Sequence, residues 1–496
     1  MEWADAQLWI YVASLVAALL SAPSVLLERM TRPTAATVWL LLFLFVPFVG
    51  VPLWWTIGRL YLRRRRRRKH RARSDVVTRL TQVRQARNLR SLTGPQFVVG
   101  GGTAREQARA LIFTESDRVF ASARQNHVRV MADASEVYPS MLAAIAAAQE
   151  HVHFQFYIYE ADETGARFRD ALAERARAGV EVRVLVDAVG GAPILRNSAE
   201  FMRPLIEAGG YVKPFLPLML GLRRFALNFR NHRKILVIDG RVGFTGGLNI
   251  GDEYTRNWHD LALRLEGPVI DQLQEVFAED WLFAGDYNIV NPKYFGRFEE
   301  HGPLAVQGAV VPAHAARCRI VASGPDTPEN STFQIFFYGC TTARSRIWIM
   351  TPYFIPDQAM LVALSSAARR GVDVRVLVPR DSDVPFVQMA CRSYYEQLLL
   401  GQVRIFEYLP AILHAKLLIF DDDWAMAGSA NVDIRSFRLN FEAGCFMEGR
   451  EMNTRLAALF EHDLESAEEV RLEDMRRQGR ATQIVHAVAH LFSPML

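Results

Sequence analysis

The pattern His-x-Lys-x4-Asp occurs twice in this chain, as His232, Lys234, Asp239 and again as His414, Lys416, Asp421. The two copies read HRKILVIDGRVGFTGGLN and HAKLLIFDDDWAMAGSAN, so a glycine follows each histidine at fourteen residues (Gly246, Gly428) and an asparagine at seventeen (Asn249, Asn431). The surrounding pattern repeats as well. VHFQFYIY from Val152, a helical stretch ARFRDALAERARA and GVEVRVLVD from Gly179 are matched by IWIMTPYF from Ile347, AMLVALSSAARR and GVDVRVLVP from Gly371. Apolar and β-branched runs alternating with helical ones, in the order strand, helix, glycine, strand, predict βαβ units. Two consecutive copies predict an α/β fold of two pseudo-symmetric lobes of one ancestry, each motif opening a third strand.

A histidine and a lysine on alternate residues of a strand point to the same face. Each motif then aims an imidazole and an ammonium at one spot, and a pseudo-two-fold packing brings both sets to the seam between lobes. Two imidazoles, two ammoniums and two amides suit a phosphodiester. Lys234, Lys416, Asn249, Asn431 and Ser429 are candidate phosphate-binding groups, while one of His232 and His414 attacks phosphorus and the other protonates the departing alkoxide. The nucleophilic imidazole needs a partner for its other ring N–H. Asp260 and Glu442 each lie 28 residues after a motif histidine, and each is expected to orient the imidazole of its own motif, as the acid of a triad does. Asp239 and Asp421, grouped with the catalytic set, are expected to tie down backbone or pair with a lysine at the strand end. Histidine with lysine is a poor ligand set for a divalent cation, so neither metal nor another cofactor is expected. His486 and His490 are spaced i, i+4, but no acidic residue of a zinc-binding pattern lies between them, and they read as one helix face. Gly100–Gly102 reads as a turn.

Two apolar runs at the N-terminus, about 8–27 and 35–58, are each long enough to cross a hydrocarbon core, with Pro33 between them. The second is followed by ten basic residues in fifteen positions, Arg59 to Arg73. Such a block stays cytoplasmic, which puts the N-terminus and the catalytic body on that side. Residues 1–74 hold twelve Lys and Arg against three acidic residues, a net +9 in a chain of net +5, which leaves the rest at −4. That balance argues against nucleic acid as partner and for anionic headgroups near the basic block, which also reads as a topogenic signal alone. Lys213–Arg230 crowds large apolar side chains beside basic ones, the mark of an interfacial segment or of a buried one. The periodic tail 481–491 packs on the body or rests on the membrane. Four scattered cysteines suggest reduced, buried thiols.

These residues resemble the phospholipase D superfamily, whose signature is HxKxxxxD followed by GGxN or GSxN. The chain as a whole is similar to the bacterial cardiolipin synthases: NHRK at Asn231, TGGLN at Thr245, SGPD at Ser323, TPYFIPD at Thr351, HAK at His414, RSFRLNFE at Arg435 and the ending LFSPML. The resemblance implies a transmembrane hairpin over 1–60, a basic juxtamembrane linker over 61–110, and a phospholipase D-like lobe over 111–290 with its motif at 226–253. A connecting segment at 291–316 and a second lobe over 317–496 with its motif at 408–435 follow. It implies a multi-pass protein of the bacterial cytoplasmic membrane that takes phosphatidylglycerol. One histidine, by analogy His232, would hold a phosphatidyl group covalently, and the hydroxyl of a second phosphatidylglycerol would take it, giving cardiolipin and glycerol. A hydrolase or another headgroup transferase of the superfamily is the alternative, and a nuclease a more distant one. Oligomeric state stays open.

Overall fold

The computed structural model describes residues 2–28, 33–58, 62–86, 123–196, 198–216, 229–285, 287–297, 314–326 and 330–493. Gly100–Gly102, Arg59, the middle of Lys213–Arg230, most of the connecting segment and the last three residues lie outside these. The chain divides into two units, Met1–Arg68 with Leu218–Asn228, and Lys69–Pro217 with Phe229–Leu496.

In the first unit, helix Glu2–Glu28 contains the one stretch among the described residues that is long and apolar enough to cross a membrane, Trp9–Glu28. The second apolar run is not one continuous helix. It forms helix Pro33–Phe45, breaks at Val46, and resumes as Pro47–Leu53 and a π-helical turn, Trp54–Gly58. Pro47 explains the break, because a proline ring excludes the helical conformation at the residue before it. The two stretches pack together within the unit: Trp54 Nε1 donates to Ser24 Oγ at 3.3 Å and Trp55 Nε1 to Ser21 Oγ at 2.9 Å.

The second unit is built on a 15-stranded sheet, and nineteen strands occur among the described residues. Those of the first half are β1 (Ala123–Ala132), β2 (His151–Phe156), β3 (Glu181–Asp187), β4 (Tyr211–Phe215), β5 (Ile235–Ile238), β6 (Val242–Gly246), β7 (Trp258–His259) and β8 (Leu261–Glu266). The second half has β9 (His314–Ser323), β10 (Arg346–Met350), β11 (Phe354–Ile355), β12 (Asp373–Pro379), β13 (Arg404–Tyr408), β14 (Ile412–Leu413), β15 (Leu417–Phe420), β16 (Trp424–Gly428), β17 (Val432–Asp433), β18 (Glu442–Glu448) and β19 (Ala467–Glu469). The sheet runs β19-β13-β12-β10-β15-β16-β18-β9-β1-β8-β6-β5-β2-β3-β4. Read outward from the central antiparallel pair β1 and β9, the same sequence of strands appears in both directions, with β19 added at one edge.

Each half holds a parallel trio, β2-β3-β4 and β10-β12-β13. Parallel neighbours need a crossover, supplied by helices Glu163–Arg177 and Gln358–Arg369. Both crossover helices end at a glycine in the left-handed region, Gly179 (φ 88°) and Gly371 (φ 87°), the conformation a helix terminus needs and other residues resist. One face of β2 sends Val152, Phe154 and Phe156 into the hydrophobic core of its half. From the other face His153 and Gln155 meet Gln274 and Asp280 on helix Val269–Gly285. That helix is sandwiched, buried along nearly its whole length despite its polar residues. The start of the connecting segment is also packed: Tyr294 is buried against His151 and His153.

Candidate active site

The two motifs occupy equivalent places in the two halves. His232 and Lys234 lie on the extended chain that leads into β5, and His414 and Lys416 on the lead-in to β15. Each lead-in is pinned to the other half of the sheet by backbone hydrogen bonds. His232 N donates to Phe441 O at 2.9 Å and Phe441 N to Arg230 O at 2.8 Å. His414 N donates to His259 O at 2.7 Å and Ile412 N to Asn257 O at 3.0 Å, continuing the short parallel pair β7-β14.

This pinning decides which carboxylate each imidazole meets. The residue after Phe441 is Glu442, and the residue after His259 is Asp260. His232 Nδ1 stands 3.0 Å from Glu442 Oε2, and His414 Nδ1 stands 2.6 Å from Asp260 Oδ2. The expected pairing within each motif is therefore corrected: the carboxylates are exchanged between the halves. All four side chains are buried. Burial alone would raise Glu442 and Asp260, but His232 and Lys234 around the first, and Lys416 and His414 around the second, hold both below the usual carboxylate range. An ionised acceptor at Nδ1 requires the proton there and leaves Nε2 of each ring with the lone pair. Burial also lowers both imidazoles, His414 to about 4, so that both are neutral at neutral pH.

The lysines belong to the same site. Burial first and then the Lys416 charge lower Lys234 to about 7, and burial lowers Lys416 to about 8. Lys234 Nζ donates to His232 O at 2.8 Å, and Lys416 Nζ contacts His414 O and lies 2.7 Å from His414 Nδ1. A single Nδ1 cannot donate to Asp260 and accept from an ammonium together. The ionised Asp260 at 2.6 Å holds the proton on Nδ1, so the Lys416 donors turn to the carbonyl. Aromatic edges flank both rings, Tyr157 at 5.0 Å from His232 and Trp258 at 4.7 Å from His414.

The remaining candidate site residues have the following partners. The Ser429 hydroxyl donates to Glu442 Oε2 at 2.5 Å. Asn440 Nδ2 donates to the other oxygen of Glu442 at 3.1 Å. Asn249 accepts from Ile158 N at 3.3 Å and faces Tyr254, and Asn431 Nδ2 donates to Asp433 at 3.1 Å. Asp239 and Asp421 stand at the far ends of β5 and β15 and take no part at the imidazoles. Asp239 accepts from the backbone N–H groups of Gln149, Glu150 and His151, each at 2.8 Å. Asp421 accepts from those of Arg344, Ser345 and Arg346 at 2.7–3.2 Å. Both occupy left-handed turn positions (φ 53° and 50°), which aspartate tolerates.

Sequence reasoning missed a buried charge network behind His232. Asp280 Oδ1 and Oδ2 each receive Arg233 Nη1 at 2.8 Å, and Arg233 reaches onward to Glu442 O at 3.1 Å. Lys69 also pairs with Asp280 and is 1% exposed, ringed by Phe215, Phe283 and Phe441. Within the basic run read as a topogenic signal or headgroup-facing block, Lys69 is thus a core residue. A second missed group is His259. Burial opposes its charge, but Asp133 at 2.9 Å and Asp463 at 3.0 Å outweigh that and raise it to about 10. Its imidazolium ties the two halves together one residue before Asp260. The signals available were only a basic residue inside HRK and a histidine beside a singled-out aspartate. Among the described residues no group of three or more His, Cys, Asp or Glu is placed to hold a metal ion, and the four cysteines are free and buried.

A family model described as cardiolipin synthase, PLD-like domain, matches residues 141–281 and 340–464, and a phospholipase D-nuclease N-terminal model matches residues 9–59. The probable cardiolipin synthase YwiE of Bacillus subtilis is 33% identical over 96% of this chain and 92% of its own length. A cardiolipin synthase of Halalkalibacterium halodurans is 34% identical over 94% and 90%. The fold resembles the crystal structure of phosphatidylserine synthase from Haemophilus influenzae, with a TM-score of 0.59 at 13% identity over 79% of this chain and 100% of that one. The chain belongs to the cardiolipin synthase family of phospholipase D-like proteins.

Proposed function

We propose that the chain is a cardiolipin synthase that moves a phosphatidyl group from one phosphatidylglycerol to another, giving cardiolipin and glycerol through a phosphohistidine. The observation that carries the chemistry is the exchanged pairing of two neutral imidazoles with two ionised carboxylates, beside two buried lysines. With Nδ1–H donated to Glu442, His232 presents Nε2 to phosphorus, the role the family resemblance assigns to it. As the N–P bond forms and the bond to glycerol oxygen breaks, His414 delivers a proton to that oxygen. Burial and then the Lys416 charge depress His414, and the bound phosphodiester offsets that charge, which favours the imidazolium this step requires. In the second half, the terminal hydroxyl of another phosphatidylglycerol gives its proton back to His414 and attacks phosphorus, and the N–P bond breaks. Lys234 and Lys416 neutralise the charge that builds on the non-bridging oxygens in both halves.

On this reading the two halves of the sheet are two phospholipase D-like lobes, 111–290 and 317–496, with the site at their seam. The apolar helices form a two-span hairpin with both ends on the cytoplasmic side. The length of Trp9–Glu28 and the basic block after the second run support that topology. Reporter fusions placed after residues 30 and 75 test it: the first active only outside and the second only inside is the expected result.

The activity is tested by incubating the purified chain in detergent with phosphatidylglycerol and separating the lipids. Cardiolipin and free glycerol in equal amounts are expected. Phosphatidic acid alone would turn the assignment to a hydrolase, and added alcohols appearing in the product would reveal a broader headgroup transferase.

A further inference from the structure

Helix Arg480–Leu491 is amphipathic and stands the opposite way from a core helix. Ile484, Val485, Val488 and Leu491 recur at helical spacing on one arc, continued by Phe492, and all are exposed, Ile484 at 63% and Leu491 at 76%. The other side holds the helix to the body. Ala489 is buried, His490 Nδ1 lies 3.0 Å from Ser393 Oγ, and the His490 ring lies 4.7 Å from that of Tyr394. A helix that packs its small and polar side inward and leaves its large apolar side in water lacks the partner that its sequence fits.

The apolar surface runs on to the neighbouring helix, Pro385–Arg392. Phe386 meets Phe492 edge to face at 5.6 Å, and both Val384 and Phe386 are 40% exposed. Val384 directly follows Asp383, whose carboxylate accepts from Tyr353 OH at 2.7 Å, and the Tyr353 ring lies 6.5 Å from that of His414. The patch therefore begins at the edge of the catalytic site. Exposed arginines 477 and 480 stand at the helix start, where anionic groups would meet them.

We infer that this surface is the seat of the catalytic body on an anionic bilayer. The inference rests on the proposed lipid substrate. Apolar side chains enter the headgroup boundary, the arginines meet its charge, and a phosphatidylglycerol headgroup reaches His414 while its acyl chains remain in the bilayer.

The full chain carrying Ile484→Gln, Val488→Gln and Leu491→Gln tests this, since these exposed positions contact neither imidazole. The variant should keep wild-type turnover on dihexanoyl-phosphatidylglycerol below its micelle concentration, and lose at least tenfold in kcat/KM on long-chain phosphatidylglycerol in vesicles. Equal effects on the two substrates would overturn the inference. So would an unchanged vesicle rate accompanied by a dimer that dissociates in the variant, which would make the surface a contact between copies. A second readout does not depend on activity. An environment-sensitive fluorophore on Leu491→Cys in the full chain, reconstituted in phosphatidylglycerol vesicles, should be quenched by spin labels in the acyl region. Quenching only by aqueous iodide would overturn the seat whether or not the chain makes cardiolipin.

Discussion

The two half-sites are copies of one motif built with unequal parts. On one side Glu442 reaches His232 while held by the Ser429 hydroxyl and the Asn440 amide. On the other the shorter Asp260 reaches His414 and is held by its neighbour's N–H, Leu261 N at 2.8 Å. The position equivalent to Ser429 is Gly247, and a β-carbon there would stand 2.1 Å from Asp260 Oδ1. The glycine in TGGLN is thus the space that Asp260 occupies, whereas the serine in AGSAN is a ligand for the longer Glu442. The difference shows that repeat symmetry sets where the groups stand, while side-chain length and hydroxyl content tune each imidazole separately.

The largest expected effect removes either imidazole. His232→Ala and His414→Ala should each lower cardiolipin formation by at least about 10⁴-fold, since neither ring can replace the other as nucleophile or proton carrier. A variant retaining more than a hundredth of the wild-type rate would break the two-histidine reading.

Next, exchanging the unequal parts should hurt both half-sites, and the Asp260 side more. Gly247→Ser drives its side chain into Asp260 and should cost up to about 10⁴-fold in kcat, the loss of an oriented imidazole. Ser429→Gly removes one hydrogen bond from Glu442, about 1.5–3 kcal/mol for a charged partner, and should cost roughly 10- to 100-fold. Steady-state rates of both variants check this, and a larger loss in Ser429→Gly would contradict the steric account of Gly247.

The pH profile of kcat/KM separates imidazoles from lysines. His414 gains its proton only on the acid side, near 4, whereas Lys234 and Lys416 lose theirs at about 7 and about 8. Activity should therefore fall as pH rises through that upper range, because the cations that bind the phosphodiester are lost and the His414 imidazolium grows rarer, and fall again at low pH as the nucleophile His232 is protonated. A profile flat from pH 6 to 10 would remove the lysines from phosphate binding.

The smallest effect on chemistry belongs to the motif aspartates. Asp239→Ala strips three backbone N–H groups of their acceptor and should lower stability by about 2–4 kcal/mol, read by denaturant unfolding, while kcat of the folded protein stays within a few-fold. A loss of kcat comparable to that of the histidine variants, at unchanged stability, would move Asp239 into the reaction.

Much of this was legible in the sequence. Alternating apolar runs, Gly179 and Gly371 marked the βαβ units, and equal offsets found both carboxylates. The offset could not tell which histidine each carboxylate serves, because exchanging partners between two copies leaves the spacing unchanged. Only the pinning of His232 to Phe441 and of His414 to His259 decides it, and those contacts join residues some two hundred positions apart and about 155 apart. Lys69 was hidden for another reason: within a run of basic residues nothing in the sequence singles out the one that enters the core opposite Asp280.

The exchanged wiring is tested most directly with a donor whose leaving group needs no proton, phosphatidyl-p-nitrophenol. The carboxylate variant that disables only the acid should still release a burst of p-nitrophenolate and then stall with the phosphatidyl group on the intact nucleophile. Exchanged pairing predicts that Asp260→Asn bursts and that peptide mapping finds the adduct on His232, while Glu442→Gln gives no burst. A burst from Glu442→Gln with the adduct on His232 would mean that each carboxylate serves its own motif, and would contradict the structure at its centre.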